Sequence, residues 1–119
     1  MTSEERAALI IRAIDSKQGR DIQLLGMEGL TLMTDYFVLC TGTSSTHIRT
    51  LADVVVEHMK KAGAGGIRLE GYEAAEWVLM DYGDVVVHIM SAETRTYYGL
   101  EELWRGARRV DLASVLAPA

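Results

Sequence analysis

The apolar positions at the start of the chain recur at helical spacing. Ala7, Ile10, Ile11 and Ile14 stand at i, i+3, i+4 and i+7, which is one face of a helix. Thr2 and Glu5 have the spacing of a capping box before that face, and Gly19 is a natural stop after it. The pattern predicts an amphipathic helix over roughly the first 18 residues. Residues 21–27 carry Ile22 and Leu24, with Gly26 and Gly29 as punctuation, and read as a strand and a turn. Residues 35–41 are apolar on both faces, with Tyr36, Val38 and Cys40 on one and Phe37 and Leu39 on the other. A short strand of that kind belongs in the middle of a covered sheet.

Gly42 then allows a turn, and Ser44 or Ser45 can cap the next helix. That helix places Ile48, Leu51, Ala52, Val55 and Met59 on one face and Lys60 and Lys61 in its last turn, where cations suit the helix dipole. Residues 67–72 alternate and predict a strand, residues 76–80 another. Asp81 to Asp84 is a turn by composition, and the β-branched residues 85–90 return as a hairpin partner. Tyr97, Leu100, Leu103, Trp104 and Ala107 stand at helical spacing over 94–107, with Gly99 weakening the middle. The order predicts one α/β domain over 1–107, a mixed sheet of about five strands with helices packed on it. The weakly patterned residues 108–119 are expected as a C-terminal tail.

Composition narrows the class. The chain has 119 residues and is 49% apolar, enough for the core of one domain. No apolar run is long enough to span a bilayer, and two acids precede the first apolar residues, unlike a secretory signal or a transit peptide. A single cysteine, Cys40, excludes an intrachain disulfide and suits a reducing cytoplasm. A net charge of −5 argues against gripping free nucleic acid and suits a basic protein partner.

The chemical readings fail one by one. His47 and His58 lie on one predicted helix but about 16 Å apart along its axis, too far to share an ion. No Cys or His pair has the spacing of a structural zinc site, so neither metal nor cofactor is expected. Cys40 sits in an apolar run with no base beside it and reads as a core residue, not a nucleophile. Ser44 and Ser45 lack a nucleophile elbow. The strand–GTSST–helix segment resembles the Gly-Ser turn of nucleotidyltransferases, which carry a D-x-D pair on the next strand. Here Asp53 stands alone on a helix, and Asp81 and Asp84 flank a turn. Two-metal phosphoryl transfer needs clustered carboxylates, so the expectation is a nucleotidyltransferase-like fold without its catalytic residues. A nucleotide-binding or nucleotidyltransferase-like enzyme is the alternative reading.

What remains is a set of interface-type residues. On a strand, Trp77, Leu79 and Asp81 point one way and Val78 and Met80 the other. A face pairing Trp with Asp is unusual for a core, and Trp, Tyr and Arg are the types that anchor interfaces. The pattern leaves core and binding face both open for Trp77. Leu103 and Trp104 read as core.

Three blocks identify a resemblance. D-Y-F-V-L-C-T-G-T-S-S-T-H-I at 35–48, E-G-Y-x-x-x-E-W-V-L-M-D-Y-G-D-V-V-V-H-I-M at 70–90 and R-T-Y-Y-G-L-E-E-L-W at 95–104 are similar to the ribosomal silencing factor family, also called Iojap-like. The likeness runs from the first helix to Trp104; residues from Arg105 lie outside it. The resemblance implies a cytoplasmic non-enzyme, often a homodimer, that binds the fourteenth protein of the large ribosomal subunit. It implies a block of subunit joining that represses translation when nutrients are scarce, as in stationary phase, and in organelles a part in large-subunit biogenesis. On this reading the partner-binding surface comprises Trp77, Met80, Asp81, His88, Arg95 and Tyr98. Trp77 and Tyr98 are its apolar anchors, and Asp81 pairs with a basic residue of the partner.

Overall fold

The structure, a computed structural model, describes residues 1–116. Helix α1 (Ser3–Ser16) opens on the predicted capping box: Thr2 Oγ1 accepts from the Glu5 amide, and Glu5 Oε1 accepts from the Thr2 amide. Its apolar face is fully buried. Strand β1 (Arg20–Gly26) runs antiparallel to β2 (Tyr36–Gly42). Helix α2 (Ser45–Lys61) is capped by Ser44 and buries the five residues its spacing singled out. Strands β3 (Arg68–Glu70), β4 (Trp77–Asp81) and β5 (Val85–Ser91) follow, with β4 and β5 forming the expected hairpin.

The sheet has six strands in the order β3-β4-β5-β2-β1-β6, where β6 is Arg108–Val110. Among the described residues, only β2 and β5 pair in parallel. They occupy the centre, as the two-sided apolar character of β2 requires. Helices α1 and α2 cover one face, packing on Val38, Cys40, Val78, Met80, Val85, Val87 and Ile89. Cys40 is fully buried there, and burial pushes its thiol up to about 12. Gly19 follows α1 because a Cβ at that position would meet Cys40 Sγ at 2.7 Å and crowd Ile14.

Two expectations change. The helix read over 94–107 is broken into α3 (Ala92–Tyr98) and α4 (Leu100–Leu103), because Gly99 takes the left-handed conformation, φ 57° and ψ 44°, and caps α3. The described part of the expected tail, residues 108–116, joins the domain. Within them β6 extends the sheet along β1, and α5 (Leu112–Leu116) packs on α1. Residues 117–119 lie outside the described residues.

Candidate functional site

The second face of the sheet is covered only in part. Strand alternation sends Phe37 and Leu39 of β2, Trp77, Leu79 and Asp81 of β4, and Val86, His88 and Met90 of β5 to this side. The registers align them in rows: Trp77 beside Met90 beside Thr41, Leu79 beside His88 beside Leu39, and Asp81 beside Val86 beside Phe37. Over the first end of these rows sit α3, α4 and the turn at Trp104, closing a small second core of Leu25, Met27, Leu39, Met90 and Leu100. The other end stays open as a groove of about 650 Å³. Phe37, Leu79, Asp81, Val86 and His88 line it from the sheet, and Met27, Leu30, Thr31, Met33, Thr34 and Trp104 form its walls.

Aromatic rings run across the seam between the covered and open halves. The Trp77 and Tyr98 ring centroids lie 5.1 Å apart, Trp77 and His88 5.9 Å, His88 and Phe37 4.8 Å, and Phe37 and Trp104 4.7 Å. The Trp77 Nε1–H donates to His88 Nδ1 at 3.1 Å. An indole nitrogen can only donate, so Nδ1 accepts and the proton of neutral His88 sits on Nε2. His88 is 4% exposed, and burial pulls its imidazole down to about 4. Gly71 lets the chain pass close behind this site: at φ +80°, a Cβ there would run into the Trp77 carbonyl oxygen.

The expected surface residues divide. Tyr98 is 56% exposed, Trp77 and Asp81 are half-buried at the edge of the groove side, and His88 lies beneath them. Met80 is the first correction. It is 0% exposed, turned into the core under α1 and α2, because its place on β4 alternates away from Trp77. Arg95 is the second. It is 7% exposed, its Nη1 donates to the Asp21 carbonyl at 2.8 Å and to Thr41 Oγ1 at 2.9 Å, and its Nε donates to Glu101. It fastens α3 and α4 to the sheet and has no surface to offer a partner.

Other residues join the site in roles that periodicity did not assign. Leu103 is exposed and Trp104 half-buried, so neither is simply core. Leu30, Leu32, Met33 and Tyr97 are also exposed. The signal for the first three was an apolar cluster, G-L-T-L-M, in a segment with neither period. Asp81 Oδ1 accepts from the Gly83 amide at 2.8 Å, and Asp81 enters no ion pair among the described residues.

In the Gly42–Thr46 turn, Thr43 and Ser44 are engaged internally. Ser44 Oγ accepts from the His47 amide, the Thr43 amide donates to His47 Nδ1 at 2.9 Å, and His47 Nε2 donates to the Lys17 carbonyl at 2.9 Å. Asp53 accepts from the Tyr72 hydroxyl, and Asp84 pairs with Arg6 at 3.2 Å. Among the described residues, no three His, Cys, Asp or Glu side chains are grouped to hold a metal ion, and no helix is long and apolar enough to cross a membrane.

The chain matches known proteins along its length. The family described as "Ribosomal silencing factor during starvation" matches residues 1–119. The Ribosomal silencing factor RsfS of Halalkalibacterium halodurans is 38% identical over 117 residues, covering 98% of this chain and 100% of that protein. The Mus musculus protein named Mitochondrial assembly of ribosomal large subunit protein 1 is 32% identical over 99 residues, covering 81% of this chain and 43% of that protein. A crystal structure of a Chromobacterium violaceum protein superposes with a TM-score of 0.86 at 38% identity, covering 93% of this chain and 92% of that one. This α/β chain belongs to the ribosomal silencing factor family.

Proposed function

We propose that this protein binds the large ribosomal subunit through the partly open sheet face and keeps the small subunit from joining it. The observation that carries the reading is the aromatic seam of Trp77, Tyr98 and Trp104, flanked by exposed Leu103 and the carboxylate of Asp81. Exposed aromatic and apolar side chains grouped on one face are the usual anchors of a protein interface. The docking partner is a basic protein on the subunit-joining surface, the fourteenth of the large subunit, and the net charge of −5 favours that encounter. Trp77 and Tyr98 are the anchors, and Asp81 meets a cation. His88 and Arg95 act beneath them, by holding Trp77 and α3 in place.

The effect is steric repression of translation in the cytoplasm under nutrient limitation, without catalysis. Away from the ribosome the same apolar face pairs two copies as a homodimer. The name of the mouse relative supports a second role in large-subunit assembly. Co-sedimentation with separated subunits through a sucrose gradient tests the proposal. Co-migration with large subunits and fewer joined ribosomes is the expected result; protein remaining at the top of the gradient would refute it. Calorimetry with ATP and magnesium tests the nucleotidyltransferase-like alternative, for which no heat of binding is expected.

A further inference from the structure

The groove beside the aromatic seam encloses about 650 Å³. Its floor is apolar, made by Phe37, Leu79 and Val86, and at one end stands the Asp81 carboxylate, with no ion pair among the described residues. Deeper in the lining is His88, whose Nδ1 is turned to Trp77, a residue outside the groove. The opposite ring edge carries the Nε2 proton, and that buried nitrogen has no hydrogen-bond partner. A nitrogen so enclosed offers a partner nothing, so the groove's recognition chemistry is its apolar floor and the Asp81 carboxylate.

We infer that this groove receives one long basic side chain, Lys or Arg, of the protein partner. Its aliphatic stem lies across Phe37, Leu79 and Val86, and its charged head meets Asp81. The inference rests on the docking proposed above and names what the partner inserts. A long cationic chain suits both halves of the site, because its stem is apolar and its head is charged. An acidic chain would set like charges together at Asp81, and a short apolar one would desolvate the carboxylate with only the Gly83 amide to meet its charge. The rings of Phe37 and Trp104 beside the groove add a favourable face for a cation.

Two variants and one small probe test it. Asp81→Asn keeps the acceptor for the Gly83 amide and removes the charge. Val86→Trp fills the groove floor and leaves Trp77 and Tyr98 in place. Each is first checked for a native circular dichroism spectrum and unfolding midpoint; if Val86→Trp misfolds, Asp81→Asn and the probe decide the question. Each variant is expected to weaken binding to purified large subunits about tenfold or more, the range of a lost charge-assisted bond. In NMR titrations, N-acetyl-arginine methylamide is expected to shift the amides of Leu79, Asp81, Val86 and His88. N-acetyl-norleucine methylamide, or the Asp81→Asn protein with the arginine probe, should shift them far less. If wild type binds large subunits and Trp77→Ala does not, while Asp81→Asn and Val86→Trp bind as wild type and the probe shifts nothing in the groove, this inference fails and the docking proposal stands. If Val86→Trp splits a dimer and leaves subunit binding unchanged, the occupant is a second copy and the inference is overturned. Wild type failing to bind large subunits would refute the docking proposal itself, and the arginine probe would then still report on the groove alone.

Discussion

The indole N–H of Trp77 donates to Nδ1 of His88 across the β4–β5 hairpin, at 3.1 Å. The two residues are diagonal neighbours on one face, since Leu79 is the residue directly opposite His88. The bond fixes the tautomer of a buried imidazole and the orientation of a surface tryptophan at once. It therefore links the interior of the sheet to the face proposed to meet a partner.

That link should be measurable as a coupling. Trp77→Phe keeps a ring in place and removes the donor, leaving Nδ1 buried without a partner. It is expected to destabilise the fold by about 1–3 kcal/mol. In a His88→Phe background the same change should cost clearly less, because no acceptor is left stranded. Urea unfolding of the four proteins gives the coupling energy. Additive effects would mean that the bond does not hold Trp77.

His88 also predicts how stability depends on pH. Its ordinary value is 6.5 in the unfolded chain, and burial lowers it to about 4 in the folded one. Between those values the unfolded chain takes up a proton that the folded protein refuses. Stability from this group is therefore fully present above about pH 6.5, falls as the pH drops toward 4, and is level below that. The loss should approach roughly 3 kcal/mol over the window. Glu4, Glu5, Glu28 and Glu57, all held below the usual carboxylate range by hydrogen bonds, also lose stability as acid is added. The check is thus the difference between wild type and His88→Gln, whose unfolding curves should converge as the pH falls from 7 to 4.

Cys40 should be inert in the native protein. Its thiol is fully buried beneath α1 and α2 and raised to about 12, so almost no thiolate exists at neutral pH. A thiol-reactive dye is expected to label the protein only as fast as the core opens, and at once in denaturant. Rapid native labelling would show that the α1 side of the core opens locally.

Much of this architecture could be read from residue order, and each miss has its own physical cause. Thr2, Glu5 and the apolar face of α1 announce their helix within a few residues. The two-sided β2 announces its central place. The alternation that sets Trp77, Leu79 and Asp81 on one face was also readable. Period-two spacing, however, does not tell which face the helices will cover, so the sequence groups Met80 with its neighbours on β4 although it points into the main core. The burial of Arg95 is hidden for a different reason: its partners, the Asp21 carbonyl and Thr41, are distant in the chain, and a charged residue on a short helix carries no sign of burial. Strand β6 left no pattern because three residues on a sheet edge pair through their main chains and need no periodic side chains.

Arg95 yields the last prediction. Its guanidinium is buried, whereas Glu101 beside it is more than a third exposed on its side chain. The two ends of the pair should respond differently. Glu101→Gln leaves a buried cation held by a neutral amide, the Asp21 carbonyl and the Thr41 hydroxyl, whereas Arg95→Met leaves a carboxylate that can turn to water. Glu101→Gln tests the charge alone and is expected to cost about 1–2 kcal/mol, since water already screens part of the pair. Arg95→Met strands the Asp21 carbonyl and Thr41 Oγ1 as well, and should cost on the order of 2 kcal/mol or more. The damage should be local before it is global, because Arg95 is what ties α3 and α4 to β1 and β2. Hydrogen exchange should show the amides of 95–104 losing protection in Arg95→Met while those of α2 keep theirs. Tyr98 and Trp104 ride on that segment, so binding to large subunits should weaken even at temperatures where the variant is fully folded. Uniform loss of protection across both regions would mean that Arg95 supports the whole domain and does not specifically hold the docking face.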